Sequence, residues 1–294
     1  MLRVAIALSF FIYASASDWR TRRVKNIVWM ILGVIAFATL WVDMLATGAP
    51  LITQSILLPL AFLFADVFWD RERELGKPAG MLAIALYALS FLWIAYIGYT
   101  VLTGDTQWDD VSGPFVAFFA VILFELFYMF DVIKGGADAK AVICLAVLFP
   151  LYPDISDIVP IIRPAADAVL TFFPFALSVL FMGALASCAV PLYILAKNIR
   201  GGRKMGLRSL LGFPLPIDEV EKHFVWLIEW VEDGKVKFSY RKQRNSDMLK
   251  ADLAALREMG LNEAWVTYKI PFIIPLTVGL LMVILVGNLL FLVY

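Results

Sequence analysis

Polar segments divide this chain into a series of long apolar runs. These are residues 1–17, Ile27–Leu45, Leu51–Trp69, Ala79–Leu102, Pro114–Ile133, Ala139–Tyr152, Thr171–Ala196 and Pro271–Tyr294. About 20 apolar residues in helical form cross the hydrocarbon core of a bilayer. Each run therefore reads as a membrane helix, eight in all, the first run and Ala139–Tyr152 being short and calling for tilt or screening by neighbours. One stretch, Lys197–Lys269, departs from the pattern. Phe224-Val-Trp-Leu-Ile-Glu-Trp-Val and Lys235-Val-Lys-Phe-Ser-Tyr-Arg flank Asp233-Gly234 and predict a β-hairpin. Ser246 reads as the N-cap of a helix to Met259 closed by Gly260, and Ala264–Tyr268 as a further short strand.

The predicted fold is thus an all-α polytopic membrane protein with a small α+β domain before the last helix. Residues 1–196 form the helix bundle, 197–269 the α+β domain and 270–294 the final span. Basic residues fall in alternate loops. Arg20, Arg22, Arg23 and Lys25 follow the first run, Arg71, Arg73 and Lys77 the third, and Lys134 and Lys140 flank the turn after the fifth. The segment 197–269 holds more than half of the chain's 25 Lys and Arg. Thr47–Pro50 has none, Thr103–Gly113 carries only Asp105, Asp109 and Asp110, and Pro153–Leu170 has only Arg163 among basic residues. Positive charge stays on the cytoplasmic side. Both termini are therefore expected outside a cell membrane, with the α+β domain cytoplasmic. Ala14-Ser15-Ala16-Ser17 has the look of a signal-peptide cleavage site, but the basic flank follows the apolar run instead of preceding it, so the first helix is expected to stay uncleaved.

Composition narrows the function. With 62% hydrophobic residues and a mean hydropathy of +0.82, the chain lies well above a soluble domain. A formal net charge of zero argues against nucleic acid as partner and leaves membrane lipid as the surroundings. The single histidine, His223, excludes a paired-histidine zinc site and reads as structural. Cys144 and Cys188 lie in different apolar runs and read as two small buried hydrophobes. No metal or cofactor is implied.

Two aspartates stand out. Asp18 follows the first apolar run, and Asp138 follows Gly135-Gly136-Ala137 at the head of another, with Lys140 just beyond. The charge alternation puts both on the cytoplasmic side. A Gly-Gly-x-Asp turn before a helix also serves as a plain N-cap, but two such carboxylates together have chemistry of their own. They cannot both ionise easily, so one keeps a proton while the other stays charged. Such a pair polarises a carbonyl and deprotonates a water, which hydrolyses an amide without a metal. The helix dipole favours the anion on Asp138 and the proton on Asp18, with the nearby arginines opposing the latter. The adjacent glycines are expected to allow a sharp turn and close approach of a substrate strand.

These residues carry a family resemblance. Asp18-Trp-Arg-Thr-Arg-Arg-Val-Lys-Asn26 resembles the first aspartate motif of the type IV prepilin peptidases. Gly135-Gly136-Ala137-Asp138-Ala139-Lys140 resembles the second, the motif of the GxGD-type membrane aspartyl proteases. The sequence is more similar to archaeal preflagellin peptidases, in which a cytoplasmic domain precedes a last helix introduced much like Trp265–Pro275. The resemblance implies catalytic roles for Asp18 and Asp138, with Gly135, Gly136, Ala137 and Lys140 as supporting motif residues. It implies cleavage of a class III signal peptide from a preflagellin or prepilin-like substrate: basic residues, a small residue at the cut, then an apolar segment. The eight predicted spans exceed the six usual in the archaeal enzymes.

Two other functions are open to the same sequence. Glu125, Asp66 and Asp131 at membrane depth would suit a transporter or channel, although no internal repeat accompanies them. A presenilin-like protease would use the same aspartates to cut within the bilayer. For substrate selection, the acidic groups Asp70, Glu72 and Glu74, or Asp218, Glu219 and Glu221, are candidates for the substrate's basic residues. Arg241, Lys242 and Arg244 suit solvent or anionic head groups.

Overall fold

The computed structural model describes residues 1–68, 78–153, 173–203, 206–239, 246–287 and 289. Asp70, Glu72, Glu74, Arg71, Arg73, Lys77, the 154–170 part of the sixth loop and the run Arg241, Lys242 and Arg244 lie outside them. The chain divides into two compact units, one formed by Met1–Ala186 with Pro271–Tyr294, the other by Ser187–Ile270.

The first unit is helical. Its described elements are α1 (Leu2–Thr21), α2 (Asn26–Ala46), α3 (Leu51–Gln54), α4 (Leu57–Asp66), α5 (Pro78–Thr103), α6 (Trp108–Met129), α7 (Gly136–Leu148), α8 (Phe175–Ser187) and, after the second unit, α13 (Ile273–Leu285). Among the described residues, four helical stretches are long and apolar enough to cross a membrane: Asn26–Ala46, Met81–Thr103, Trp108–Met129 and Phe175–Arg200. Eight such stretches were expected. The third apolar run is broken at Ser55-Ile56 into α3 and α4, and α13 is a shorter apolar helix. The chain is a mostly helical, multi-pass membrane protein.

Helix α7 lies at the centre. Every residue from Ala141 to Leu148 is buried, which is why its sequence is apolar all round instead of on one stripe. It packs on α2 and α6. Phe11 and Trp29, both fully buried, meet edge to face and join α1 to α2. Gly33 leaves room for the Phe64 ring, since a Cβ there would stand 2.1 Å from Phe64 Cζ. The last helix returns to the first: Ser15 Oγ and Thr277 Oγ1 share a hydrogen bond of 2.7 Å, and Thr277 also donates to the Phe11 carbonyl at 3.3 Å. Cys144 is buried and donates to the Trp29 carbonyl, whereas Cys188 is exposed. Cys188 interrupts the helix between α8 and α9, so only one of the two cysteines is the buried hydrophobe expected.

The second unit contains α9 (Ala189–Arg200), α10 (Leu207–Leu211), β1 (Phe213–Pro216), α11 (Ile217–Val220), β2 (Val225–Leu227), β3 (Glu229–Glu232), β4 (Lys235–Phe238), α12 (Ser246–Glu258) and β5 (Glu263–Tyr268). The Asp233-Gly234 hairpin is present as β3–β4, both turn residues having positive φ. The strand preceding it behaves differently. Val225–Leu227 pairs with β5, giving a three-stranded sheet in the order β1-β5-β2. The expected single strand across 224–231 is therefore split at Ile228, whose N–H donates to the Trp265 carbonyl.

The split is stabilised by Glu229. Its residue is buried, and its Oε1 accepts the Trp265 N–H at 2.8 Å, taking the place of a backbone acceptor. Burial pushes this carboxyl above its usual range, opposed by the Trp265 hydrogen bond and by Arg208. Asn198 does comparable work nearby, donating to the carbonyls of Ser209 at 2.8 Å and Gly212 at 2.7 Å. Phe213, Ile217, Val225, Leu227, Leu253, Leu256 and Val266 form the unit's apolar core.

Candidate active site

Asp18 lies in the last turn of α1, and its backbone carbonyl accepts the Arg22 N–H that closes the helix. Arg22 adopts the left-handed conformation there, with φ 55°. The chain turns at once into α2, whose first residue is Asn26. Arg3, at the start of α1, pairs with Asp43 near the end of α2, so the two helices run antiparallel.

Asp138 is the third residue of α7, with Gly135 in the N-cap position. Lys140 Nζ donates to Asn26 Oδ1 at 2.9 Å and lies 5.0 Å from the centre of the Phe68 ring. This contact brings the first turn of α7 to the beginning of α2, hence to the same end of the unit as the last turn of α1. At 100° per residue, Lys140 projects about 200° around the helix from Asp138. Lys140 holds α7 against α2 while Asp138 faces elsewhere.

The electrostatics agree with that placement. Both aspartates stand just beyond the apolar runs 1–17 and Ala139–Tyr152. Asp138 is pushed up to about 7, first by burial and then by the charge of Asp18. Asp18 is raised by burial and lowered by Arg22. The two carboxyls thus lie within each other's field. Burial thus acts on Asp138 against the charge that the helix N-terminus favours.

The glycines act through space. Gly135 has φ −92° and ψ 122°, which any residue adopts, and neither Gly135 nor Gly136 has positive φ. A Cβ on Gly135, however, would stand 2.1 Å from Asp138 Oδ2. The glycine provides the room into which the carboxylate folds back. A Cβ on Gly136 would reach 3.4 Å from the Tyr128 hydroxyl, placing that phenol beside the motif. Tyr128, on α6, had no sequence signal of its own. Ala137 is half-buried between these glycines and Asp138.

The other acids have separate settings. Asp66 accepts a hydrogen bond of 2.6 Å from the Tyr87 hydroxyl, which joins α4 to α5. Glu125 is half-buried on α6, and Asp131 is exposed with φ 56°. Asp218 pairs with Arg257, and Glu219 lies 3.8 Å from His223 Nε2. Among the described residues, no three His, Cys, Asp or Glu side chains converge as a metal site would require. A cavity of about 540 Å³ lies at the far end of the helical unit, lined by Arg3, Asp43, Asp109, Asp110 and Tyr152, away from the aspartates.

Residues 206–289 match the family described as Archaeal Peptidase A24 C-terminus Type II. The chain is similar to a preflagellin peptidase of Methanococcus voltae, with 22% identity over 237 residues, covering 78% of this chain and 93% of that protein. It is also similar to a preflagellin peptidase of Methanocaldococcus jannaschii, with 27% identity over 230 residues, covering 71% of this chain and 91% of the relative.

Proposed function

We infer that this chain, which belongs to the archaeal preflagellin peptidase family, is an aspartic endopeptidase that uses Asp18 and Asp138 to remove leaders from preflagellin or prepilin-like subunits. The observation that supports the choice of residues is the mutual influence of the two carboxyls at one end of the helical unit. Asp138, raised to about 7, carries the proton over much of the neutral range and donates it to the scissile carbonyl oxygen. Asp18, the ionised partner, takes a proton from the attacking water. The water oxygen bonds to the carbonyl carbon, and collapse of the tetrahedral adduct breaks the C–N bond as the amine leaves with a proton. The pair then shares its protons again, so its pH dependence belongs to both groups.

Eight spans complete the topology in this reading, the apolar runs within α1, α3–α4, α7 and α13 joining the four long stretches. Residues 1–196 and 270–294 hold the bundle and 197–269 the cytoplasmic domain. The alternation of basic loops supports a cytoplasmic border position for both aspartates and an outside position for both termini. The substrate then presents a basic segment to the cytosol, a small residue at the cut and an apolar helix in the bilayer.

The test uses the full chain in detergent with a peptide of that three-part design. Mass spectrometry should find a cut at the border between the basic and apolar parts, and Asp18→Asn and Asp138→Asn should each abolish it. A cut in the middle of the apolar part would point to the presenilin-like reading. Undiminished cleavage by either variant would remove that residue from the mechanism.

A further inference from the structure

The three-stranded sheet has two unlike faces. Val225, Leu227, Ala264 and Val266 enter the apolar core. The alternate positions carry Trp226 opposite Thr267 on the paired strands and Trp265 beside them, and the Lys269 N–H donates to the Phe224 carbonyl at 3.0 Å just past the ladder. A sheet face turned to water carries polar side chains. Beside Thr267 and the exposed Glu263, this one carries the rings of Trp226 and Trp265, with Phe224 just before β2; Phe224 is 56% and Trp226 40% exposed.

Chain continuity limits how far this end of the sheet can lie from the last helix. The apolar helix α13 begins at Ile273, a short step after Lys269. One residue spans at most about 3.6 Å, so Lys269 lies within roughly 15 Å of that helix's first turn. The Lys269 ammonium stands 4.2 Å from the centre of the Trp226 ring, so the indole shares its depth. Ile270, in the connection itself, is 41% exposed.

We propose that this face is seated in the interfacial layer of the bilayer, with Phe224, Trp226 and Trp265 at head-group depth and Lys269 against anionic lipid phosphates. Indole rings combine an apolar body with a polar edge, the combination that concentrates Trp at membrane–water boundaries. A lysine close to an anionic leaflet adds Coulomb attraction.

The experiment labels the full chain with an environment-sensitive fluorophore at Phe224→Cys in a Cys188→Ser background. A control carries the label at Met248→Cys on α12. Both are reconstituted in vesicles of phosphatidylcholine with phosphatidylglycerol. The 224 label should emit to the blue of the 248 label, be quenched by lipids carrying a nitroxide at the head group, and resist aqueous iodide. Adding Lys269→Glu should shift the 224 emission towards that of water. Emission at 224 equal to that at 248 would overturn the proposal. So would a blue-shifted label indifferent to the lipid quencher, which would mean that protein, a second copy or a bound substrate, covers the face.

Discussion

The ammonium of Lys140 donates to the side-chain carbonyl of Asn26 at 2.9 Å, joining the first turn of α7 to the first residue of α2. These residues are far apart in sequence, yet this contact sets the end at which the second aspartate motif lies. Lys140→Met should lower leader-peptide cleavage, and Asn26→Ala should lower it similarly. If the two act through one contact, the double variant should be no worse than the more impaired single one, because contacting residues are non-additive. Each should cost about 1 kcal/mol of stability, the usual worth of a hydrogen bond, read from unfolding in detergent.

Gly135→Ala separates geometry from stability. The added methyl group meets Asp138 Oδ2, the end of a movable side chain, so the fold should survive with little change in melting temperature. The carboxylate must leave its place, so cleavage should fall by an amount approaching that of Asp138→Asn. General acid–base groups contribute about 10²–10⁴-fold, which sets the loss expected in a steady-state assay.

The pH dependence follows from Asp138. Its carboxyl is raised to about 7 in the folded protein from an unfolded value of 3.8. Between those values the native state binds more protons than the unfolded one, so this group's contribution to stability declines as pH rises through the interval. It is fully favourable below 3.8 and lost above 7. Asp138→Asn should therefore stabilise the inactive protein at pH 8 by up to about 4 kcal/mol, and the gain should vanish by pH 4. Thermal unfolding at the two pH values checks it. In the native enzyme, cleavage should fall as pH rises past about 7, when Asp138 loses its proton.

Glu229 offers a second sign test. Its carboxyl is raised by burial, so its ionisation also weakens the fold as pH rises. Glu229→Gln keeps an acceptor for the Trp265 N–H and should be neutral or slightly stabilising at pH 8. Glu229→Ala leaves that N–H unpaired and should cost about 1–3 kcal/mol. Comparing the melting temperatures of the two variants distinguishes loss of charge from loss of the hydrogen bond.

The crossing of α8 and α13 depends on two glycines. A Cβ on Gly279 would stand 2.5 Å from Gly183 N and 2.6 Å from the Val179 carbonyl oxygen, both backbone atoms that cannot turn aside. Gly279→Ala should destabilise by about 1–3 kcal/mol, as overpacking does. Val278→Ala, at a 40% exposed neighbouring position, should leave unfolding in detergent nearly unchanged.

What the sequence determined by itself was local. Runs of apolar residues marked out the helices because helix formation and membrane insertion depend on neighbours along the chain. Asp233-Gly234 marked the hairpin because that turn needs two residues tolerant of positive φ. Asp18 and Asp138 were conspicuous because carboxylates are costly beside long apolar runs. Tertiary structure decided the relations between distant segments. It paired Val225–Leu227 with β5 instead of extending the hairpin, because Glu229 and Ile228 both bond to Trp265. It left Cys188 exposed and buried Cys144, a difference of packing that residue type does not encode. It buried Asp138, and that loss of hydration raises its carboxyl against the helix dipole readable from position in the chain.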